Sequence, residues 1–232
     1  MPDRPIILIL GPTAGGKTAL AISLANALPG GGECVCADSM QVYRGMDLGT
    51  AKPTAAEQAA APHHLLDVAD PADDTYSVDT WLADAERAIA DIRARNRWPL
   101  VVGGTNLYVQ ALLYGLFDGP APDPVLRDAL RARDTDDLRR ELEAIDPAAA
   151  ARIHPNDRKR TVRAIEVFRA TGRPISDQQQ EWAAAGPRSD AIILGLDYPP
   201  EVINPRINAR VKAMVASGLV EEVRALRAAS RL

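Results

Sequence analysis

Ile6-Ile7-Leu8-Ile9-Leu10, followed by Gly11-Pro12-Thr13-Ala14-Gly15-Gly16-Lys17-Thr18, is the stretch that decides the fold. Five apolar residues in a row predict a buried strand, and the turn after them completes G-x-x-x-x-G-K-[ST] between a strand and a helix. Gly11, Gly15 and Gly16 lack a Cβ and can adopt positive φ, so successive backbone N–H groups can turn inward around an anion at the helix start. Lys17 adds a full positive charge. The Thr18 hydroxyl stands where a Mg²⁺ ion bridging phosphates would be held. An ordinary glycine-rich turn needs neither Lys nor Thr at those offsets. The segment Gly11 to Thr18, with Pro12, Thr13 and Ala14 between its glycines, therefore predicts a bound phosphate chain.

Working outward, the first half of the chain alternates strands and helices. Ala19 to Leu28 reads as a helix stopped by Pro29-Gly30-Gly31-Gly32. A short strand from Val35 to Ala37 delivers Asp38-Ser39 at its carboxyl end, and a loop rich in Gly, Asp and Pro runs from Met40 to Pro53. Val78 to Arg95 has helical periodicity, with Trp81, Leu82, Ala85, Ile89 and Ile92 on one side. Pro99 to Gly104 is another buried strand, and Thr105 is placed to cap the next helix. Such alternation predicts an α/β fold, a P-loop NTPase-like parallel sheet covered by helices. From Gly119-Pro120-Ala121-Pro122-Asp123-Pro124 onward only short helical stretches follow, until the strand Ala191 to Leu196. Gly186-Pro187-Arg188 marks the return to the sheet, and Pro200 to Ser217 and Leu219 to Ala229 read as helices parted by Gly218. The expected domains are a core of residues 1–118 and 190–232, incomplete at its C-terminal end, and an all-helical insertion of residues 119–189.

Composition bounds the function. The 232 residues are 47% hydrophobic but only 4% aromatic, so a core must come mainly from Ala, Leu, Val and Ile. A formal net charge of −4 gives no global attraction to nucleic acid, and any such site must be a local patch. Cys34 and Cys36 are two apart on a predicted strand, on one face and poorly placed for a disulfide, and no partner cysteines exist for zinc. They read as core thiols in a reducing compartment. The N-terminus leads straight into the first strand without room for a signal peptide, and no apolar run approaches the roughly 20 residues of a membrane helix. A soluble, cytoplasmic, monomeric protein without membrane attachment is expected.

In open α/β sheets ligands sit beyond the carboxyl ends of the strands, which singles out Gly11 to Thr18, Asp38-Ser39 and Gly103-Gly104-Thr105. Asp38 could hold Mg²⁺, act as a general base beside the phosphates, or be a solvated carboxylate at a loop start. Thr105 could bond a phosphate or substrate edge, or serve only as an N-cap. In the insertion, Lys159, Arg160 and Arg163 form a cationic helical face, with Ile165 and Phe168 available to pack inward. That face could grip a nucleic-acid backbone, form the arginine-rich lid of a nucleotide kinase, or be a solvated surface. Arg206 and Arg210 lie four apart on one helix face; the first of them, Arg206, could neutralise a leaving phosphate, or both could be surface residues paired with Glu201 and Glu222. His63, His64 and His154 lack metal-ligand spacing and read as capping or loop-packing residues.

Taken in order, Gly11 to Thr18, Ala37-Asp38-Ser39-Met40-Gln41 through Lys52-Pro53, Pro62-His63-His64-Leu65-Leu66-Asp67, Val102-Gly103-Gly104-Thr105-Asn106-Leu107-Tyr108 and Arg152-Ile153-His154-Pro155-Asn156-Asp157 resemble the tRNA dimethylallyltransferases across almost the whole chain. The resemblance implies transfer of a dimethylallyl group from dimethylallyl diphosphate to the N6 amine of the adenosine 3′ to a tRNA anticodon, with Mg²⁺ at Thr18. Gly11 to Thr18, Lys17 included, would hold the isoprenoid diphosphate. Asp38 would take the amine proton, Thr105 would contact the diphosphate and the adenine region, and Arg206 would stabilise the departing diphosphate. Asp38, Ser39, Met40, Gln41, Thr105, Arg127, Lys159, Arg160, Thr161, Val162 and Arg163 fall where the family contacts the tRNA anticodon stem-loop. Family members often carry Ser where Gly15 stands, a change the loop is expected to tolerate. They also continue past Val220 to Leu226 with a further tRNA-contacting segment and helices, so the resemblance implies a C-terminally shortened copy. The alternatives are a P-loop kinase with ATP on the loop, an adenylate isopentenyltransferase with a free nucleotide acceptor, and a chain that binds tRNA or diphosphate without turnover.

Overall fold

The computed structural model describes residues 4–73, 75–116, 119–120, 123–183 and 186–231, the last four of α9 by backbone alone. Met1, Pro2, Asp3, Asp118, Ala121, Pro122 and Leu232, which enter the expectations above, lie outside the described residues.

The chain divides into two compact units, Met1–Leu113 with Arg188–Leu232, and Tyr114–Pro187. In the first, β1 (Ile6–Leu10), β2 (Gly32–Ala37), β3 (His63–His64), β4 (Trp98–Gly103) and β5 (Ala191–Gly195) form one sheet in the order β3-β2-β4-β1-β5. Every pairing is parallel, with Ile7 beside Leu100 and Ile192. Its helices are α1 (Lys17–Ala27), α2 (Ala55–Ala60), α3 (Val78–Ala94), α4 (Asn106–Tyr114, ending at the boundary), α10 (Pro200–Ala216) and α11 (Leu219–Ala228). This is the expected P-loop NTPase-like α/β architecture.

Alternation along the strands builds two cores. Ile6, Leu8, Val35 and Val101 pack with Trp81, Ile89, Ile92 and Leu112 on one face, and Ile7, Ile9 and Leu100 pack with Ala21 and Ala25 on the other. With few aromatics available, one pair is central. Trp81 stacks on Tyr108 with ring centroids 4.2 Å apart, and its indole N–H donates to the Cys36 carbonyl at 2.9 Å. Cys34 and Cys36 are free and buried, and burial pushes both thiols up to about 12.

Three departures from expectation have a clear physical reason. α1 begins at Lys17, since Gly16 (φ 84) already supplies the left-handed cap. β2 begins at Gly32 rather than Val35, because Gly32 pairs with Trp98 and its missing Cβ lets Ala25 and Leu100 approach. His63 and His64, expected in a loop, form the edge strand β3; two residues are too few to carry a periodic signal. Glu33 accepts from Arg95 and contacts His64 Nε2 at 2.7 Å.

The second unit is helical: α5 (Pro124–Arg131), α6 (Thr135–Ile145), α7 (Pro147–Arg152), α8 (Arg158–Thr171) and α9 (Ile175–Ala183). Leu130, Leu138, Val162 and Ile165 form one cluster, and Leu142, Ala149, Ala150, Ala164, Val167 and Ile175 another. Buried Asp146 caps α7 through the Ala149 N–H and also accepts from the Ser176 N–H and hydroxyl, tying α9 to it. Among the described residues no helix is long and apolar enough to cross a membrane.

Candidate active site

The loop after β1 has the geometry of an anion cradle. Gly16 caps α1 without a side-chain hydrogen bond, and α1 carries no acidic residue in its first turn, so its leading N–H groups face a ligand space. Positive φ falls to Gly11 (155°), Ala14 (61°) and Gly16 (84°), and not to Gly15 as expected. Gly15 is needed for a close approach instead. A Cβ there would lie 2.9 Å from the Pro12 carbonyl, so the loop as folded must shift to take a serine. Gly11 is tighter still, since its Cβ would meet Leu196 Cβ at 2.8 Å.

Lys17 folds back on the loop, donating to the Gly11 and Pro12 carbonyls at 3.0 and 2.9 Å. Burial lowers its pKa, Asp38 opposes that, and Arg210 adds to it. The three strand ends meet: a Cβ on Gly103 would lie 2.1 Å from the Ala37 carbonyl, and the Thr105 N–H donates to that same carbonyl. The Thr105 hydroxyl does not cap α4. It accepts from the Ser39 N–H at 2.9 Å and donates to the Ser39 hydroxyl, so it holds the β2 end against the β4 end.

Asp38 Oδ1 accepts from the N–H groups of Met40 (2.9 Å) and Gln41 (3.4 Å), an Asx turn that orients the carboxylate at the cavity wall. Gln41 is committed to its own loop, donating to the Thr50 and Ala51 carbonyls at 3.0 and 3.2 Å. Two residues missed by sequence reasoning organise that loop. The buried Lys52 ammonium contacts Asp47 and Asp67 at 2.6 Å and the Tyr43 carbonyl at 2.8 Å. Glu222, on α11, accepts from the N–H groups of Asp47, Leu48 and Gly49. Lys52 stands in the Gly49-Thr50-Ala51-Lys52-Pro53 run and was legible there as a lone lysine among small residues; Glu222 was read only as a possible partner of Arg206 or Arg210, and nothing in the sequence pointed to its contact with this loop.

Around these elements lies a cavity of about 940 Å³ within the first unit. Lys17, Thr18, Asp38 and Arg210 line it together with an apolar wall from Ile207, Val211, Met214, Leu219 and Val223. Arg206 is not on that lining. Its guanidinium lies over the Tyr198 ring, 4.8 Å from the centroid, and the Tyr198 hydroxyl donates to the Gly15 carbonyl at 3.1 Å. Arg210 has its pKa lowered by burial, with Asp38 and Glu57 opposing. Among the described residues neither arginine pairs with Glu201 or Glu222.

In the second unit, Lys159 and Arg160 are exposed, and Arg160 pairs with Asp157 at 3.2 Å. Arg127 binds buried Glu166 through two bonds of 2.8 and 2.9 Å, while Arg163 lies 3.6 Å from the same carboxylate and donates to the Pro120 carbonyl. Thr161 and Val162 are buried, which corrects their expected place on a tRNA-facing surface: Thr161 donates to the Asp157 carbonyl and Val162 sits in the core, because both fall on the inner side of α8. Ile165 packs inward and Phe168 is half-buried. His154 accepts from the Asn156 N–H, a loop-packing role, while His63, on the edge strand β3, contacts the Ala61 carbonyl. Among the described residues no group of three or more His, Cys, Asp or Glu side chains is placed to hold a metal ion.

Residues 41–232 match the IPP transferase family, and residues 4–68 the isopentenyl transferase family. The tRNA dimethylallyltransferase of Anaeromyxobacter dehalogenans is 55% identical over 227 residues, covering 96% of this chain and 75% of that protein. The tRNA dimethylallyltransferase 1 of Trichlorobacter lovleyi is 48% identical over 225 residues, 95% of this chain and 73% of that one. Among solved structures, the full-length tRNA isopentenylpyrophosphate transferase from Bacillus halodurans is 40% identical with a TM-score of 0.65, over 97% of this chain and 70% of that chain. A eukaryotic dimethylallyltransferase captured acting on tRNA aligns at a TM-score of 0.83 and 31% identity, over 97% of this chain and 56% of that one. The long motifs, the shared fold and identity over nearly all of its length lead to one conclusion: this chain belongs to the IPP transferase family.

Proposed function

We propose that this chain is a tRNA dimethylallyltransferase, moving a dimethylallyl group from dimethylallyl diphosphate to the N6 amine of the adenosine 3′ to the tRNA anticodon. The observation that carries this reading is the cavity itself, where Lys17, Asp38 and Arg210 lie near one another on the same lining as an apolar stretch of Ile207, Val211, Met214, Leu219 and Val223. A diphosphate leaves an allylic carbon readily only when its charge is neutralised. Lys17, the first-turn N–H groups of α1 and Arg210 are the groups that would do so, with Arg210 in the place expected for Arg206. The adenine nitrogen attacks the allylic carbon, the carbon–oxygen bond breaks with its electron pair leaving on the diphosphate, and Asp38 takes the amine proton. Thr105 supports this through Ser39, keeping the Asp38 turn against the β4 end.

With no group of three or more His, Cys, Asp or Glu placed for a cation among the described residues, the site suits a Mg²⁺ ion that arrives with the diphosphate, the Thr18 hydroxyl being the donor from this chain. Mg²⁺ would supply further charge neutralisation to the leaving group. Lys159 and Arg160, with Arg127 and Arg163 braced on Glu166, would meet the tRNA backbone. The protein would work as a monomer in the cytoplasm.

The test is incubation with labelled dimethylallyl diphosphate and either unmodified tRNA, AMP or no acceptor, with labelled ATP in parallel. Label on tRNA is the expected result. Label on AMP alone, or ATP consumption dependent on a small substrate, would replace this reading with a free-nucleotide transferase or a kinase.

A further inference from the structure

Glu222 is an unusual helical glutamate. Its neighbour Glu221 pairs with Arg224 on the exposed face of α11, whereas Glu222 turns its carboxylate onto three consecutive backbone N–H groups, Asp47 at 2.9 Å, Leu48 at 2.7 Å and Gly49 at 3.0 Å. Successive N–H groups converging on one anion form a nest, and charge-assisted bonds of this length are among the stronger hydrogen bonds in proteins. The fit extends to apolar contact. A Cβ on Gly49 would lie 3.1 Å from Leu219 Cδ1, so α11 seats directly on the loop and the glycine makes room for it.

That loop leads back to Asp38. Thr50 and Ala51 receive the Gln41 side chain, and the Gln41 N–H bonds Asp38 Oδ1. Lys52 anchors its far end. Met46 through Lys52 line the cavity opposite α10, which carries Arg210. Resting on the transfer reading above, we infer that Glu222 is a positioning residue. It clamps the Asp47–Gly49 backbone so that the loop presents the acceptor adenine to Asp38 while leaving the diphosphate cradle untouched. The cradle's internal bonds, Lys17 to Gly11 and Pro12 and Gly15 to Pro12, involve no atom of this loop. A glutamine replaces the carboxylate only in part: its carbonyl can accept from the Asp47 and Leu48 N–H groups, which share Oε2, but its NH₂ end would then face the Gly49 N–H.

The experiment combines amide hydrogen exchange at residues 47–49 with steady-state transfer for wild type, Glu222→Ala, Glu222→Gln and the control Glu221→Ala. In Glu222→Ala, exchange at Leu48 and Gly49 should speed about tenfold or more and kcat/KM for tRNA should fall about tenfold, whereas in Glu222→Gln the faster exchange should be confined to Gly49. KM for dimethylallyl diphosphate should stay within about twofold. Added acetate should recover part of both effects in Glu222→Ala but not in Glu222→Gln, whose side chain still fills the space. Unchanged exchange in Glu222→Ala would overturn the clamp. A matched loss for both substrates together with a lowered Tm and no acetate response would reduce Glu222 to a stability role. If wild type itself transfers nothing to tRNA, the functional reading fails. The exchange arm, with tRNA affinity in place of kcat/KM, then still decides whether Glu222 holds the loop and whether the loop serves tRNA.

Discussion

Arg206 lies over the ring of Tyr198, 4.8 Å from its centroid, and this stacking holds the tyrosine whose hydroxyl bonds the Gly15 carbonyl. The first arginine of the pair thus braces the phosphate loop from outside, and Arg210, one helical turn on, faces the cavity. Arg210→Ala is expected to weaken dimethylallyl diphosphate binding by about ten- to a hundredfold, the range for losing a hydrogen bond to a charged group. Arg206→Ala should cost only a few-fold. Equilibrium binding of the labelled diphosphate checks this, and the opposite ranking would return the leaving-group role to Arg206.

Asp38→Asn keeps an oxygen for the Met40 and Gln41 N–H groups while removing the base. Transfer should fall by about 10²- to 10⁴-fold, with diphosphate affinity within a few-fold of wild type. Single-turnover rates and binding measured on the same preparation decide it. A large loss of diphosphate affinity would make Asp38 a metal ligand instead of a base.

Burial holds the Lys17 ammonium below its ordinary pKa of 10.5, only partly offset by Asp38. On the proposed reading the charged form binds the diphosphate, and a lowered pKa means that charge is lost earlier as pH rises. Diphosphate affinity should therefore decline on the alkaline side before pH 10.5 is reached. Lys17→Arg, always charged, should bind with a flatter profile over the same range. A wild-type profile as flat as that of the arginine variant would show that Lys17 stays fully charged.

Cys34 and Cys36, both raised to about 12 by burial, should not react with a thiol reagent at pH 8 in the native protein. Both should react at once in denaturant. Rapid native labelling of either would mean that β2 opens more readily than its place between β3 and β4 implies.

On α8, Lys159→Ala with Arg160→Ala should lower the slope of log affinity for tRNA against log salt by roughly 1.4 to 1.8, about 0.7 to 0.9 per lost phosphate contact. An unchanged slope would make these two residues solvated surface. Arg127→Ala should also lower Tm, because it removes the two-bond partner of buried Glu166.

The phosphate loop, the alternating α/β order and the helical insertion were legible because each is written in contiguous residues: an apolar run, a fixed glycine spacing, a 3.6-residue period. Elements of few residues or without periodicity escaped. His63–His64 is a strand only because β2 offers an edge, and Ala55–Ala60 a helix largely because Thr54 and Glu57 form a capping box at its start. The roles of neighbouring residues on one helix were also hidden. On α8 the cationic face was plain, but that Thr161 and Val162 turn into the core depends on which side of the helix the rest of the unit covers.

By itself, the sequence determined that Gly11 to Thr18 would turn from a strand into a helix, that Asp38 and Thr105 would stand at neighbouring strand ends, and which family the motifs resemble. The reason is that backbone conformation and strand polarity are local properties of the chain. Only the tertiary structure decided that Arg210 and not Arg206 lines the cavity, that Ala14 and not Gly15 takes the left-handed turn, and that Glu222 closes on Leu48 from 174 residues away. Those outcomes depend on how a helix is rotated against the sheet and which surfaces meet, and packing sets both only once the distant parts of the chain are in contact.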